Sequence, residues 1–139
     1  MRQALLEAEK ALEAGEIPVG AVVVADKRII ARAHNQVERL HDATAHAEML
    51  AMTAAGNFLG SKYLTDCTLY VTLEPCLMCA GGTYWSQLAG IVYGADDDKR
   101  GYRRLGESVL HPKTKLKRGV LEQEAQQLLA EFFVRLRRK

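Results

Sequence analysis

The chain predicts an α/β protein of three layers, α/β/α, around a mixed sheet of about five strands, with residues 1–139 as one domain. Three observations carry this. Pro18-Val19-Gly20-Ala21-Val22-Val23-Val24 is a β-branched run, Arg28 to His34 is a second strand-like run, and the turn Ala25-Asp26-Lys27 between them predicts an antiparallel hairpin. Downstream, strand-like runs alternate with helix-like ones, the order of β-α-β crossovers that place helices on both faces of a sheet. A length of 139 residues suits one core that buries most of its apolar surface.

Residues 2–14 read as the first helix. Leu5, Ala8, Ala11 and Leu12 share one face, charged residues take the other, and Gly15 suits its end. After the hairpin, residues 35–45 are polar and irregular and read as a loop. Ala45 to Ala55 reads as a helix stopped near Gly56, with His46 and Glu48 in its first turn. Thr68 to Leu73 is the third strand and runs into a turn at Pro75; Leu77 to about Gln87 is the helix that follows. Gly90-Ile91-Val92-Tyr93-Gly94 is a fourth strand, and Leu116 to Leu121 holds a short fifth. From Glu122 onward Ala125, Leu128, Leu129, Phe132, Phe133 and Leu136 recur at intervals of three and four, so the closing helix is expected to dock on the core. Sites in such sheets lie where strands end and helices begin.

Composition narrows the class. An apolar fraction of 48% and a charged fraction of 26% are those of a soluble globular protein. No apolar run approaches a membrane span, and glutamates occupy the region where a signal peptide has its apolar centre. Three cysteines make no disulfide framework, which points to a reducing cytoplasm, and Cys67 reads as a small buried strand residue. The net charge of +2 is unevenly spread: residues 1–98 hold 7 Lys/Arg against 13 Asp/Glu, and residues 99–139 hold 12 against 4. A polyanion is therefore expected on the C-terminal part, where Lys99, Arg100, Arg103, Arg104, Arg135, Arg137 and Arg138 are the candidate contacts. A basic face that only keeps the protein soluble is the plainer alternative.

The chemistry concentrates in His46-Ala47-Glu48 and Thr72-Leu73-Glu74-Pro75-Cys76-Leu77-Met78-Cys79. Cysteines three apart at a helix start put both sulfurs on one side of its first turn, and Pro75 fits that start because its missing N–H costs nothing there. The helix N-terminus favours thiolate. Cys76, Cys79 and His46 would give one Zn²⁺ three protein ligands and an open fourth position, the arrangement of catalytic zinc. Glu48, two residues from His46, could face that open position and move protons without binding the metal. A structural zinc with Cys67, His41 or His34 as fourth ligand is the alternative, but it leaves Glu48 without a role.

His-x-Glu followed by Pro-Cys-x-x-Cys is the signature of zinc nucleobase deaminases. With Glu16-Ile17-Pro18-Val19-Gly20-Ala21-Val22 as well, the chain resembles, over nearly its whole length, the bacterial tRNA adenosine deaminases of the cytidine deaminase superfamily. The resemblance implies hydrolytic conversion of adenosine to inosine at the wobble position, in the anticodon stem-loop of tRNA, by a homodimer. It implies His46, Cys76 and Cys79 as zinc ligands and Glu48 as proton shuttle. It also implies Asn35 as a hydrogen-bonding partner of the bound nucleoside and Asp97 as an acidic residue beside the flipped base. On the residues alone Asn35 reads as a turn-former and the Asp96-Asp97-Asp98 run as a solvated helix cap. Two stretches depart from the family pattern. Arg100-Gly101-Tyr102-Arg103-Arg104-Leu105-Gly106 replaces a run of small residues, and Thr83-Tyr84-Trp85-Ser86 replaces the more usual aliphatic-His-Ser. Tyr84 and Trp85 read as core or dimer-interface aromatics. Alternative substrates are a free base or nucleoside (guanine, cytosine or adenosine), or single-stranded nucleic acid in an engineered relative. A further alternative is a non-catalytic zinc subunit that positions RNA.

Overall fold

The computed structural model describes residues 1–138. Along the chain, α1 (Arg2–Glu13) is followed by the strands β1 (Gly20–Ala25) and β2 (Arg28–His34). Next come a four-residue helix α2 (Val37–Leu40), α3 (Ala47–Leu59), β3 (Cys67–Leu73), α4 (Leu77–Ser86) and β4 (Gly90–Ala95). Two 3-10 turns, Tyr102–Leu105 and Glu107–Val109, lead to β5 (Lys115–Lys117) and α5 (Glu122–Arg137). The sheet order is β2-β1-β3-β4-β5. β1 runs antiparallel to both β2 and β3, whereas β4 is parallel to β3 and β5 parallel to β4, so the sheet is mixed as expected.

Strand alternation separates the two faces. Ala21, Val23, Leu69, Val71, Ile91 and Tyr93 point to one side and form the main core with Ala47, Ala51, Met52 and Ala55 of α3 and Ala80 of α4. The alanines keep those helices low on the sheet, which brings the N-termini of α3 and α4 close together. α1 and α5 cover the other face, and Leu5, Ala95 and Ala125 form a smaller cluster beside them. Gly20 is required there: a Cβ would overlap the backbone of α1 at Ala4 and Ala8.

Several expectations are corrected. Residues 35–45 are not all loop, because α2 forms once the buried Glu16 carboxylate accepts from the Glu38 and Arg39 N–H groups at 3.0 and 2.9 Å. α3 does not stop at Gly56. Glycine inside a helix costs only about 1 kcal/mol, and the helix ends at Gly60, whose φ of 64° is the left-handed end that glycine accepts readily. β5 is shorter than expected, since Gly119 at φ 79° turns the chain and its N–H returns to the Gly94 carbonyl. α5 docks through Ala125 and Leu128 near its start, while Phe133 and Leu136 remain largely exposed. Tyr84 and Trp85 are not core residues. Trp85 is 79% exposed, packed edge-on to Tyr84, whose ring lies against His111.

Candidate active site

α3 and α4 start side by side at the ends of their loops, with His46 and Cys76 as N-cap residues in extended backbone. One turn into α4, Cys79 comes round to the same side. His46 Nδ1 lies 3.6 Å from Cys76 Sγ and 3.4 Å from Cys79 Sγ. The three donor atoms all fall within 4.8 Å of one another, the one such group among the described residues. With zinc–nitrogen and zinc–sulfur bonds of about 2.05 and 2.3 Å, tetrahedral zinc requires nitrogen–sulfur separations of about 3.6 Å. The cluster fits one Zn²⁺ per chain with a fourth position left over.

The candidates for a structural fourth ligand are elsewhere. Cys67 is buried at the opposite end of β3, His34 Nδ1 faces Glu7 at 3.5 Å, and His41 is exposed at the far end of α2.

Protons are unevenly shared in the cluster. A hydrogen bond from Cys79 and the neighbouring His46 bring the Cys76 thiol down to about 4, although burial opposes the shift. Cys79, hydrogen-bonded to Cys76 and buried, is pushed far up. His46 is raised by its hydrogen bond to Cys76 against the effect of burial. Glu48, only 4% exposed, is raised to about 7 because burial penalises its charge; the Cys76 sulfur adds to the rise and His46 opposes it. A buried carboxyl beside the open fourth position can both accept and return a proton.

His46, Glu48 and Cys76 form the floor of a cavity of about 650 Å³. Its walls come from five places: the Gly15–Val19 stretch before β1, the Asn35–Ala43 stretch, Leu73 with Glu74 at the end of β3, Asp97 with Arg100, and Phe132, Phe133 and Leu136 of α5. Asn35 Oδ1 accepts from the Ala47 N–H at 2.8 Å, completing the start of α3 from outside the helix. Asp97 caps no helix. Its Oδ1 accepts from the N–H groups of Lys99 and Arg100 at 3.2 and 3.0 Å, which folds the turn that presents Arg100.

The candidate cations divide. Lys99, Arg100, Arg104, Arg137 and Arg138 are exposed. Arg103 is turned inward, Nε to Glu74 at 3.1 Å and Nη2 to Asp96 at 3.4 Å, so its assignment to a polyanion is corrected: the buried carboxylate claims it. Arg135 is paired with Glu131 at 2.8 Å and Glu13 at 3.8 Å. Sequence reasoning missed Glu16, Glu74 and the pocket role of Phe132 and Phe133. For Glu74 the available signal was an acidic residue directly before the Pro75-Cys76 turn. For the phenylalanines, apolar spacing could not separate core from cavity wall.

Fold and metal site together define a zinc-dependent nucleobase deaminase. The model of the cytidine and deoxycytidylate deaminase zinc-binding region matches residues 1–95. A tRNA-specific adenosine deaminase of Aquifex aeolicus is 46% identical, with 99% of this chain and 93% of the relative covered. A solved structure from a study of A-to-I editing by tRNA:A34 deaminases superposes with a TM-score of 0.87 at 40% identity, over 93% of this chain and 97% of the other. A guanine deaminase from Nitrosomonas europaea superposes with a TM-score of 0.79 at 25% identity, over 94% and 81%. The chain belongs to the cytidine deaminase family, on the branch of the tRNA-specific adenosine deaminases.

Proposed function

We propose that the protein hydrolyses adenosine to inosine at the wobble position of a tRNA anticodon, releasing ammonia. The observation that carries this is the buried Glu48 lining the same cavity as His46 and Cys76, two of the three donors clustered with Cys79. The likeness to tRNA-specific adenosine deaminases supports adenosine in tRNA over a free base.

Zinc, when bound, would acidify the attacking water toward neutrality and supply positive charge near the reacting carbon. Glu48 takes a proton from that water as the oxygen bonds to C6 of the flipped adenine, and delivers it to the ring nitrogen N1. A second proton passes through Glu48 to the exocyclic nitrogen, the C6–N6 bond breaks, and the product is inosine with one ammonia. Asn35 spends its carbonyl oxygen on Ala47, which leaves its amide N–H₂ to hold the nucleoside. Asp97 and Arg100 border the base and its neighbours at the cavity mouth. Lys99, Arg100, Arg104, Arg137 and Arg138 supply charge for the anticodon stem-loop, with phosphates giving affinity and the pocket selectivity.

The working unit we infer is a homodimer in the cytoplasm. Exposed Phe58, Leu77 and Trp85 on α3 and α4 supply the apolar surface for the second copy. The deciding experiment incubates the protein with an anticodon stem-loop, single-stranded DNA, and free adenosine, guanine and cytosine, and weighs the products. Inosine in the stem-loop is expected; deamination of free guanine or cytosine alone would replace this reading with the metabolic one.

A further inference from the structure

We propose that Glu74 is a positioning residue: its buried carboxylate sets the Asp97–Arg103 segment, and with it the substrate wall, in register with the metal ligands. This rests on the functional reading above for the identity of the substrate, though not for the geometry.

Glu74 ends the strand side of the metal turn, two residues before Cys76, yet its side chain leaves the donors and enters the segment beyond β4. It is 2% exposed. Its Oε1 accepts from the Asp97 N–H at 3.0 Å and from Arg103 Nε at 3.1 Å, and its Oε2 accepts from the Arg103 N–H at 3.1 Å. One carboxylate thus holds both ends of the segment. The backbone follows the same path: Glu74 N–H donates to the Ala95 carbonyl at 2.8 Å, Tyr102 N–H donates to the Pro75 carbonyl at 3.0 Å, and Cys76 bridges Gly101. Gly101 has no room for a side chain, because a Cβ would overlap the Glu74 carboxylate.

The held segment reaches the cavity at two residues, Asp97 at its first end and Arg100 within it. A buried carboxylate is tolerated only when charge and hydrogen bonds compensate it. Arg103 supplies the charge, which explains why this arginine faces inward while Arg104 is exposed. The rival account is that Tyr102, fully buried in the core, anchors the segment by itself and Glu74 only adds stability.

The test compares E74Q, the pair D97A/R100A, and the triple combination on an anticodon stem-loop, with zinc content, melting temperature and amide hydrogen exchange recorded for each. E74Q should keep one zinc and a near-parental kcat, raise KM roughly tenfold, as losing one charge-assisted hydrogen bond would, and speed exchange across residues 97–103. Added to D97A/R100A it should change KM by less than about twofold, because the groups it positions are gone. The same KM penalty in both backgrounds overturns the proposal, as does a fall in kcat or zinc with KM unchanged. R103Q, which leaves both backbone bonds to Glu74 in place, should raise KM in the same direction by less; an unchanged KM there overturns it even if E74Q fails to fold. A parent protein inactive on the stem-loop sinks the functional reading alone, and exchange at 97–103 unchanged by E74Q still overturns this one.

Discussion

Asn35 reaches from the end of β2 to the first backbone N–H of α3, its Oδ1 accepting from Ala47 at 2.8 Å. One side chain thereby joins the hairpin to the helix that carries Glu48. Its two polar atoms are separable by substitution. Asn35→Asp keeps an acceptor for Ala47 and removes the amide donor, so melting temperature should hold while KM for RNA rises. Asn35→Ala loses both and should also cost about 1 kcal/mol, the usual loss for a removed helix cap. Equal melting temperatures for Ala and Asp variants would show that the Ala47 bond contributes nothing.

Cys76→Ser and Cys79→Ser should each abolish stoichiometric zinc and lower thermal stability together with activity, because metal binding in such sites is coupled to folding. Elemental analysis of purified protein gives the answer directly. Active protein with no zinc would break the argument from the donor cluster.

Glu48→Gln should keep zinc, fold and RNA affinity but lower turnover by roughly 10³–10⁴-fold, the upper part of the range of general acid–base catalysis because the proton moves twice. Single-turnover rates with saturating stem-loop separate this from weakened binding. Near-parental turnover would assign the proton transfers to solvent.

How much of the fold and site is legible in the residues follows from what each signal depends on. Metal ligation depends on spacing along one helix turn and on residue type, and both are written in His46-Ala47-Glu48 and Pro75-Cys76-Leu77-Met78-Cys79. The strands announce themselves through β-branched runs whose burial the sheet then requires. Arg103 and Arg104 look identical in a charge count; only the folded chain shows that the buried Glu74 selects one of them. Likewise Phe132, Phe133 and Leu136 follow a helical period that predicts a buried stripe. The period cannot say that α5 runs past the edge of the core there and leaves that stripe against a cavity.

Glu7 gives a pH signature. Burial pushes its carboxyl up, but hydrogen bonds and charge from Lys10, at 2.8 Å, and His34, at 3.5 Å, outweigh this and leave it below its ordinary 4.5. A folded value below the unfolded one means the group adds stability above about pH 4.5 and loses that contribution as pH falls through the folded value. Glu7→Gln should therefore destabilise the protein at pH 7, and the difference from the parent should shrink on acidification. Urea midpoints at several pH values decide it; a difference independent of pH would remove the ionic component.

The salt dependence of RNA binding should rest on the exposed cations and not on Arg103. Replacing Arg100, Arg104, Arg137 and Arg138 by Gln should flatten the dependence of log affinity on log salt by about 0.7–0.9 for each phosphate left without its cation. Arg103→Gln should leave that slope unchanged. If Arg103 alone moved the slope, its inward pairing would not survive in solution.

The cavity floor is built before residue 96, whereas much of its rim, Asp97, Arg100 and the end of α5, is built after it. The chemistry therefore lies in the first length of the chain, and recognition is shared between Asn35 there and the rim built afterwards. Substitutions in the last third can redraw which base and which flanking nucleotides are admitted while the donors, the proton carrier and the helix starts that aim them stay as they are. The carboxylate–guanidinium pair of Glu74 with Arg103 is one place where the two lengths must agree. Removing Arg103 alone would leave the buried Glu74 charge without its partner, so the two are expected to change together.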